Sequence, residues 1–320
     1  MHRPLATLFL LAAATRALPA QTMGDYARCL RGAGDAPARA AFEQQAQRAP
    51  GTAAGEFAAG CVDFARQQWE SAAAHFERAS NAAPTSSAAF TMWGNALGSW
   101  LPSASMFSKV KHGGTVRTAF ERAVAIDGTN LDARNGLLQF YLQAPGIVGG
   151  DKRKARDQAD AIAKVDPWRG FSARLTVARA MRDTALVTRT LVDATTTWPD
   201  SAAPWLALVA AQADARNAGA AFATVDRWTK ARPGTPAINY AIGRVAAVTG
   251  QQLDRGESAL RAYLAAARRP GDPGVAVAQH RLGQVLEAAG KPAEAKVAYQ
   301  AAIGADPAYK PAREALARLD

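Results

Sequence analysis

Between Arg281 and Pro307 the chain reads RLGQVLEAAGKPAEAKVAYQAAIGADP. Leu282 and Leu286 stand four apart, and Ala295, Tyr299 and Ala302 stand four and three apart, the intervals that place residues on one face of a helix. A glycine and a proline, Gly290 and Pro292, separate the two apolar rows, and Pro307 closes the second. The pattern predicts two short antiparallel helices joined by a tight turn. Glycine and alanine on the facing rows let the backbones approach closely, and the aromatic fills the gap to the next pair.

The same spacing returns upstream. Gly60, Ala72, Phe76, Ala79 and Pro84 repeat it, with a divergent copy at Ala38, Phe42 and Pro50. The interval from Pro50 to Pro84 recurs from Pro199 to Pro233, which encloses Trp205 and Phe222. Gly94, Phe120 and Ala123 mark a third copy, and Gly136, Ala155 and Ile162 a fourth. Gly243, Gly250, Leu260 and Tyr263 mark the copy before the last. Tetratricopeptide repeats carry Trp, Leu-Gly, Tyr, Ala, Phe, Ala and Pro at such intervals in a unit of about 34 residues. The chain therefore resembles the tetratricopeptide-repeat family over nearly all of residues 21–320, best in residues 53–84 and 276–307. The resemblance implies an all-α fold, a right-handed α-solenoid of antiparallel helix pairs with about eight repeat-like units, closed by a C-terminal capping helix over Ala312 to Leu319.

Two copies are longer than the pattern. Residues 100–115 and 143–152 are read as inserts between the helices of adjacent units, and inserts in a solenoid fall along one face. Both hold apolar residues, among them Trp100, Met106, Phe107, Ile147 and Val148, beside glycine pairs. They are expected to lie side by side, either covering each other's apolar ends or forming a lip over a groove.

Composition narrows the reading. Hydrophobic residues make up 49% of the chain but aromatic ones only 8%, which favours closely packed helices over a thick core. Residues 1–20 combine a basic start, an apolar run from Leu5 to Ala14 and a small residue at Ala20, and are read as a signal peptide cleaved near Ala20. The expected location is outside the cytoplasm, in a periplasm. Net charge is +11, and a chain starting at Gln21 loses Arg3 and Arg16 and keeps +9. Such an excess favours acidic partners. No Lys/Arg run interleaved with aromatics marks a nucleic-acid surface. Cys29 and Cys61 are the only cysteines, paired as a disulfide or buried as two small thiols.

Chemistry-bearing motifs are scarce. The four histidines do not pair with one another or with cysteine at metal-ligand spacing, and neither H-E-x-x-H nor G-x-S-x-G occurs, so neither a zinc site nor a serine hydrolase is signalled. GIVGGDKRKA lacks the phosphate-loop spacing. The expectation is a non-enzymatic scaffold with no cofactor that binds a protein or peptide segment, with an envelope-assembly subunit or an accessory factor of a cell-wall enzyme as the alternative. What the family resemblance implies is a concave groove lined by the first helix of each pair. That register places Asn95, Arg134, Tyr141, Arg174, Tyr240, Arg244, His280 and Arg281 on the lining. Arginine's planar fork suits carboxylates on a partner.

Overall fold

A computed structural model describes residues 23–31, 35–267 and 269–319. The signal peptide expected over residues 1–20 lies outside them. Among the described residues there are seventeen α-helices and no strands, and the chain divides into two compact units, residues 1–173 and 174–320.

Unit 1 contains α1 (Met23–Arg31), α2 (Ala36–Arg48), α3 (Ala53–Ala65), α4 (Trp69–Ala82), α5 (Ser87–Trp100), α6 (Met106–Ile126), α7 (Leu131–Gln143) and α8 (Lys152–Val165). The unit division falls within α9 (Pro167–Ala180). Unit 2 then holds α10 (Thr184–Thr197), α11 (Ala202–Asp214), α12 (Ala218–Ala231), α13 (Pro236–Thr249), α14 (Leu253–Ala265), α15 (Val275–Ala288), α16 (Pro292–Ala305) and α17 (Lys310–Ala317). Eight consecutive pairs and a terminal helix are what the repeat spacing predicts.

Local chemistry sets the helix ends. Thr52, Ser86, Ser105 and Asn130 each accept a hydrogen bond from the backbone N–H three residues on, satisfying a donor that the first turn would leave unpaired. Pro236 and Pro292 occupy first-turn positions, where the missing N–H costs nothing. Gly290 has a φ of +76°, and this left-handed backbone, which favours glycine, makes the sharp turn between α15 and α16.

One contact recurs in the packing of four of the pairs. A Cβ placed on Gly60 would lie 2.7 Å from the Phe76 ring, one on Gly283 2.4 Å from Tyr299, and one on Gly243 2.1 Å from Leu260. The glycine of the first helix is therefore the seat of the large side chain of the second. Phe76, Leu260 and Tyr299 are fully buried. In unit 1 Phe120 fills two such seats, Gly94 on α5 and Gly136 on α7, with Cβ positions 2.8 and 2.5 Å from its ring.

The first pair of unit 1 is tied to the second by a disulfide between Cys29 and Cys61. At the junction of the third and fourth pairs, buried Asn130 donates to Ser87 Oγ (2.8 Å) and Thr91 Oγ1 (2.9 Å). Ser87 donates in turn to the Ala123 carbonyl, and Thr91 to the Ser87 carbonyl. Every side chain of this buried triangle is satisfied, which makes it a register pin rather than a liability.

The inserts are only partly irregular. Only residues 101–105 lie outside α-helix in the first, because α6 begins at Met106 and runs for 21 residues. Leu101–Ser103 forms a single 3₁₀ turn, and Gly146–Val148 forms another in the second insert. The extra length of the first is mostly added helix.

Candidate functional site: the cavity between the inserts

The added turns of α6 outreach α5, which ends at Trp100, and leave a gap that no side chain fills. The result is a cavity of about 770 Å³ within unit 1, bounded by α1, α5, α6, α7 and the two 3₁₀ turns. Small-ligand pockets span roughly 300–1,000 Å³.

Each wall follows from a helical row. On α7 the row is Asp132, Asn135, Gly136, Gln139, Phe140 and Gln143, the spacing of one helix face. On α6 it is Met106, Lys109, Gly113, Val116 and Phe120. The α5 wall consists of the small residues Gly94, Gly98 and Ser99 with Asn95, so the floor is wide there. A Cβ on Gly98 would meet nothing within 4 Å, whereas one on Gly113 would lie 2.9 Å from Val148. The two inserts thus touch each other at Gly113 and Val148 and together wall the cavity.

The polar groups are mainly side-chain amides. Asn95 donates to Tyr26 Oη at 3.2 Å. Burial, then the nearby Asp132 carboxylate, pushes the Tyr26 phenol up to about 12, so it stays a protonated hydroxyl at any ordinary pH. Among the described residues, Lys109 and Asp132 are the only charged ones on the walls. An apolar chamber carrying Asn and Gln on one wall can hold an apolar side chain while pairing with backbone amides beside it.

The expected groove residues are distributed unevenly. Asn95 lines the cavity. Arg134 does not, since its Nε donates to the Gly128 carbonyl (2.8 Å) and it reaches Gln158 at 3.2 Å. Tyr141 is a correction: it is buried, with its hydroxyl on Glu121 (3.1 Å), because its face of α7 packs into the helix pair. Arg174 is exposed. In unit 2 Tyr240 and His280 are also corrections, being 5% and 7% exposed. Tyr240 packs on Tyr263 (5.6 Å between rings), and His280 packs between Tyr299 (5.7 Å) and Tyr309 (5.5 Å). Arg244 pairs with both Asp214 oxygens (3.0 Å), and Arg281 donates to Gln284 (2.8 Å). Each of these two arginines keeps a buried Nε without a hydrogen-bond partner.

Sequence reasoning passed over Tyr26, Asp132, Asn135, Gln139 and Gln143. The signal for the α7 row was present as polar residues at helical spacing, but such a row also describes an ordinary solvated face. It also passed over a cluster joining α3 to α4. There Glu56 accepts from His75 Nδ1 (2.7 Å) and Arg78 (2.8 Å), while Ser71 donates to Asp63. Burial alone would raise the Glu56 carboxyl, but the hydrogen bonds from His75 and Arg78 outweigh it and hold it below the usual range. A carboxylate held ionised in this way is suited to an ion-pair network rather than to proton donation.

No protein-family model and no curated protein matches the chain. Solved structures do. The yeast protein Tom70 superposes over 89% of this chain and 57% of its own at a TM-score of 0.50 and 11% identity. A tetratricopeptide repeat protein from Parabacteroides merdae is similar over 87% and 98% (TM-score 0.47, 11% identity). The C-terminal part of a TPR repeat-containing protein from Cytophaga hutchinsonii is similar over 92% and 99% (TM-score 0.46, 14% identity). With the glycine-seated helix pairs, the Tom70 superposition decides the fold. It is the tetratricopeptide-repeat fold. Within it, the cavity is a local departure, built where the tetratricopeptide spacing is broken by the two inserts.

Proposed function

We propose that the chain is a non-catalytic scaffold that holds a segment of a partner protein, with an apolar side chain of that segment seated in the cavity of unit 1. The observation that carries this reading is the cavity itself: an open, largely apolar chamber with a wall of amides, made by inserts that the repeat does not need. Apolar burial supplies the affinity, and the amides of Asn135, Gln139 and Gln143 fix the orientation of the bound backbone. The acidic character we propose for the partner rests on the net charge of +9 that a chain starting at Gln21 keeps, since complementary charge steers and orients a partner. The location we propose is the cell envelope, on the reading of residues 1–20 as an export signal.

Gly98→Leu tests the cavity. Gly98 lines the cavity and has open space around its Cβ position, so a side chain added there takes up room in the chamber. Peptides selected from a displayed library on the wild-type chain are expected to carry a large apolar residue and to bind Gly98→Leu at least about tenfold more weakly. Equal binding to both chains overturns the assignment.

A further inference from the structure

Outside the cavity, the two inserts expose apolar side chains that the fold does not use. Phe107 is 76% exposed and Ile147 97% exposed, and neither lines the cavity. A monomer scatters single apolar residues over its surface, but these two come from adjoining inserts. The 3₁₀ turn bearing Ile147 rests on α6 through Val148 at Gly113. Phe107 lies about one and two-thirds turns, about 9 Å of helix, from that contact point. Met106, 75% exposed, stands at the cavity rim beside it.

Charge in the two inserts is predominantly positive. Residues 100–118 hold Lys109, Lys111 and Arg117 and no carboxylate, and residues 143–156 hold four Lys or Arg against the single Asp151. Lys111, Lys152, Arg153 and Lys154 are exposed. Exposed apolar side chains in segments that also carry long cationic ones suit a layer whose surface is anionic and whose interior is apolar. The rings and aliphatic tips sink below the headgroups, while the lysine stems reach back to the charge.

We propose that the tip formed by Phe107 and Ile147 docks on an anionic lipid bilayer, at its interface and without spanning it. Among the described residues no helix is long and apolar enough to cross a membrane, so the association of this part of the chain is peripheral. A second copy of this chain is the poorer occupant, because a symmetric contact would press two cationic tips together. A protein groove is also poorer, because the two apolar groups come from separate elements rather than from one helix face.

The experiment is cosedimentation of residues 21–320 with vesicles of phosphatidylglycerol and phosphatidylcholine, at rising mole fractions of the anionic lipid. Wild-type chain is expected to sediment with the anionic vesicles, to be released by salt, and to ignore pure phosphatidylcholine. Phe107→Asp/Ile147→Asp is expected to weaken association about a hundredfold, each lost anchor accounting for about tenfold. Lys109→Glu/Lys111→Glu is expected to remove the dependence on anionic lipid. Circular dichroism checks that both variants fold, and Gly98→Leu, which alters only the cavity, is expected to bind vesicles like wild type. No sedimentation of wild type with anionic vesicles overturns the proposal. So does binding that the Phe107/Ile147 variant retains, which would assign the tip to an acidic protein surface or leave it idle. Failure here leaves the peptide-selection result standing, since that experiment contains no lipid.

Discussion

In unit 2 the glycine of one helix and the large side chain of the next meet one to one: Gly243 with Leu260, Gly283 with Tyr299. Tyr263 and Tyr299 are fully buried beside these seats, and Trp205 stacks flat on Trp228 at 5.9 Å. In unit 1 a single Phe120 serves both Gly94 and Gly136, and the helix bearing it extends back to Met106. Beyond Phe120 the seat at Gly98 stands empty, and the space opens into the cavity. The difference shows how a repeat fold acquires a site. Where each small residue has its filler the pair packs closed at that seat. Where a helix is lengthened without a matching filler, burial stops and a chamber remains, walled by side chains that repeat packing leaves free.

If unit 1 trades closure for a cavity, it should depend on a staple that unit 2 lacks, and the largest expected effect is at the disulfide. Cys29 and Cys61 hold α1 against α3, and α1 supplies the Tyr26 wall of the cavity. Cys29→Ser/Cys61→Ser, or reduction, should cost about 2–4 kcal/mol of local stability, mainly by freeing the unfolded chain. Peptide-resolved hydrogen exchange reads the two units separately. Protection is expected to fall across residues 23–65 and to stay unchanged across 236–317. An equal loss in both units would break the comparison.

The glycine seats give a sharper contrast at single positions. At Gly136 a Cβ would press 2.5 Å from the Phe120 ring, so Gly136→Ala should destabilise by about 1–3 kcal/mol through overpacking. The same change at Gly98 meets open space and should stabilise by up to about 1 kcal/mol, since alanine loses less backbone freedom in a helix. Urea unfolding of the two variants checks the sign. Two substitutions of one kind, in one unit, would then move stability in opposite directions because one seat is filled and the other is not.

The repeated seats explain how much of this was legible. The helix pairs, their number and the terminal helix could be read because each depends on residues within one repeat unit, so spacing alone encodes the contact. Glycine at 283 and tyrosine at 299 state their meeting in the sequence. The cavity could not be read in the same way, because it is defined by what is missing opposite Gly98. It also needs Tyr26, whose arrival depends on a disulfide that joins positions 32 residues apart. Nor could Tyr141, Tyr240 and His280 be told from groove residues. A helical row has two edges, and a small rotation of the helix decides whether an edge residue points into the pair or out to the groove.

His280 turns that ambiguity into the last and smallest prediction. Its place between Tyr299 and Tyr309 buries it, and burial, aided by the positive charges of Arg281 and Arg318, pushes its imidazole down from 6.5 to about 4. In the unfolded chain the group keeps its ordinary affinity for a proton. Between those values the unfolded state binds a proton that the folded state refuses, so stability is full above pH 6.5 and is lost as pH falls toward 4. The loss from pH 7 to pH 5 should be on the order of 1–2 kcal/mol, and replacing His280 with Phe should remove that part of the pH dependence. Had His280 faced an open groove, its imidazole would titrate near its ordinary value in both states. The wild type and His280→Phe would then lose stability in parallel across the same range. Equilibrium unfolding of both chains at pH 7 and pH 5 distinguishes the cases, and a parallel decline would put His280 back on the groove surface and reopen unit 2 as part of the binding face.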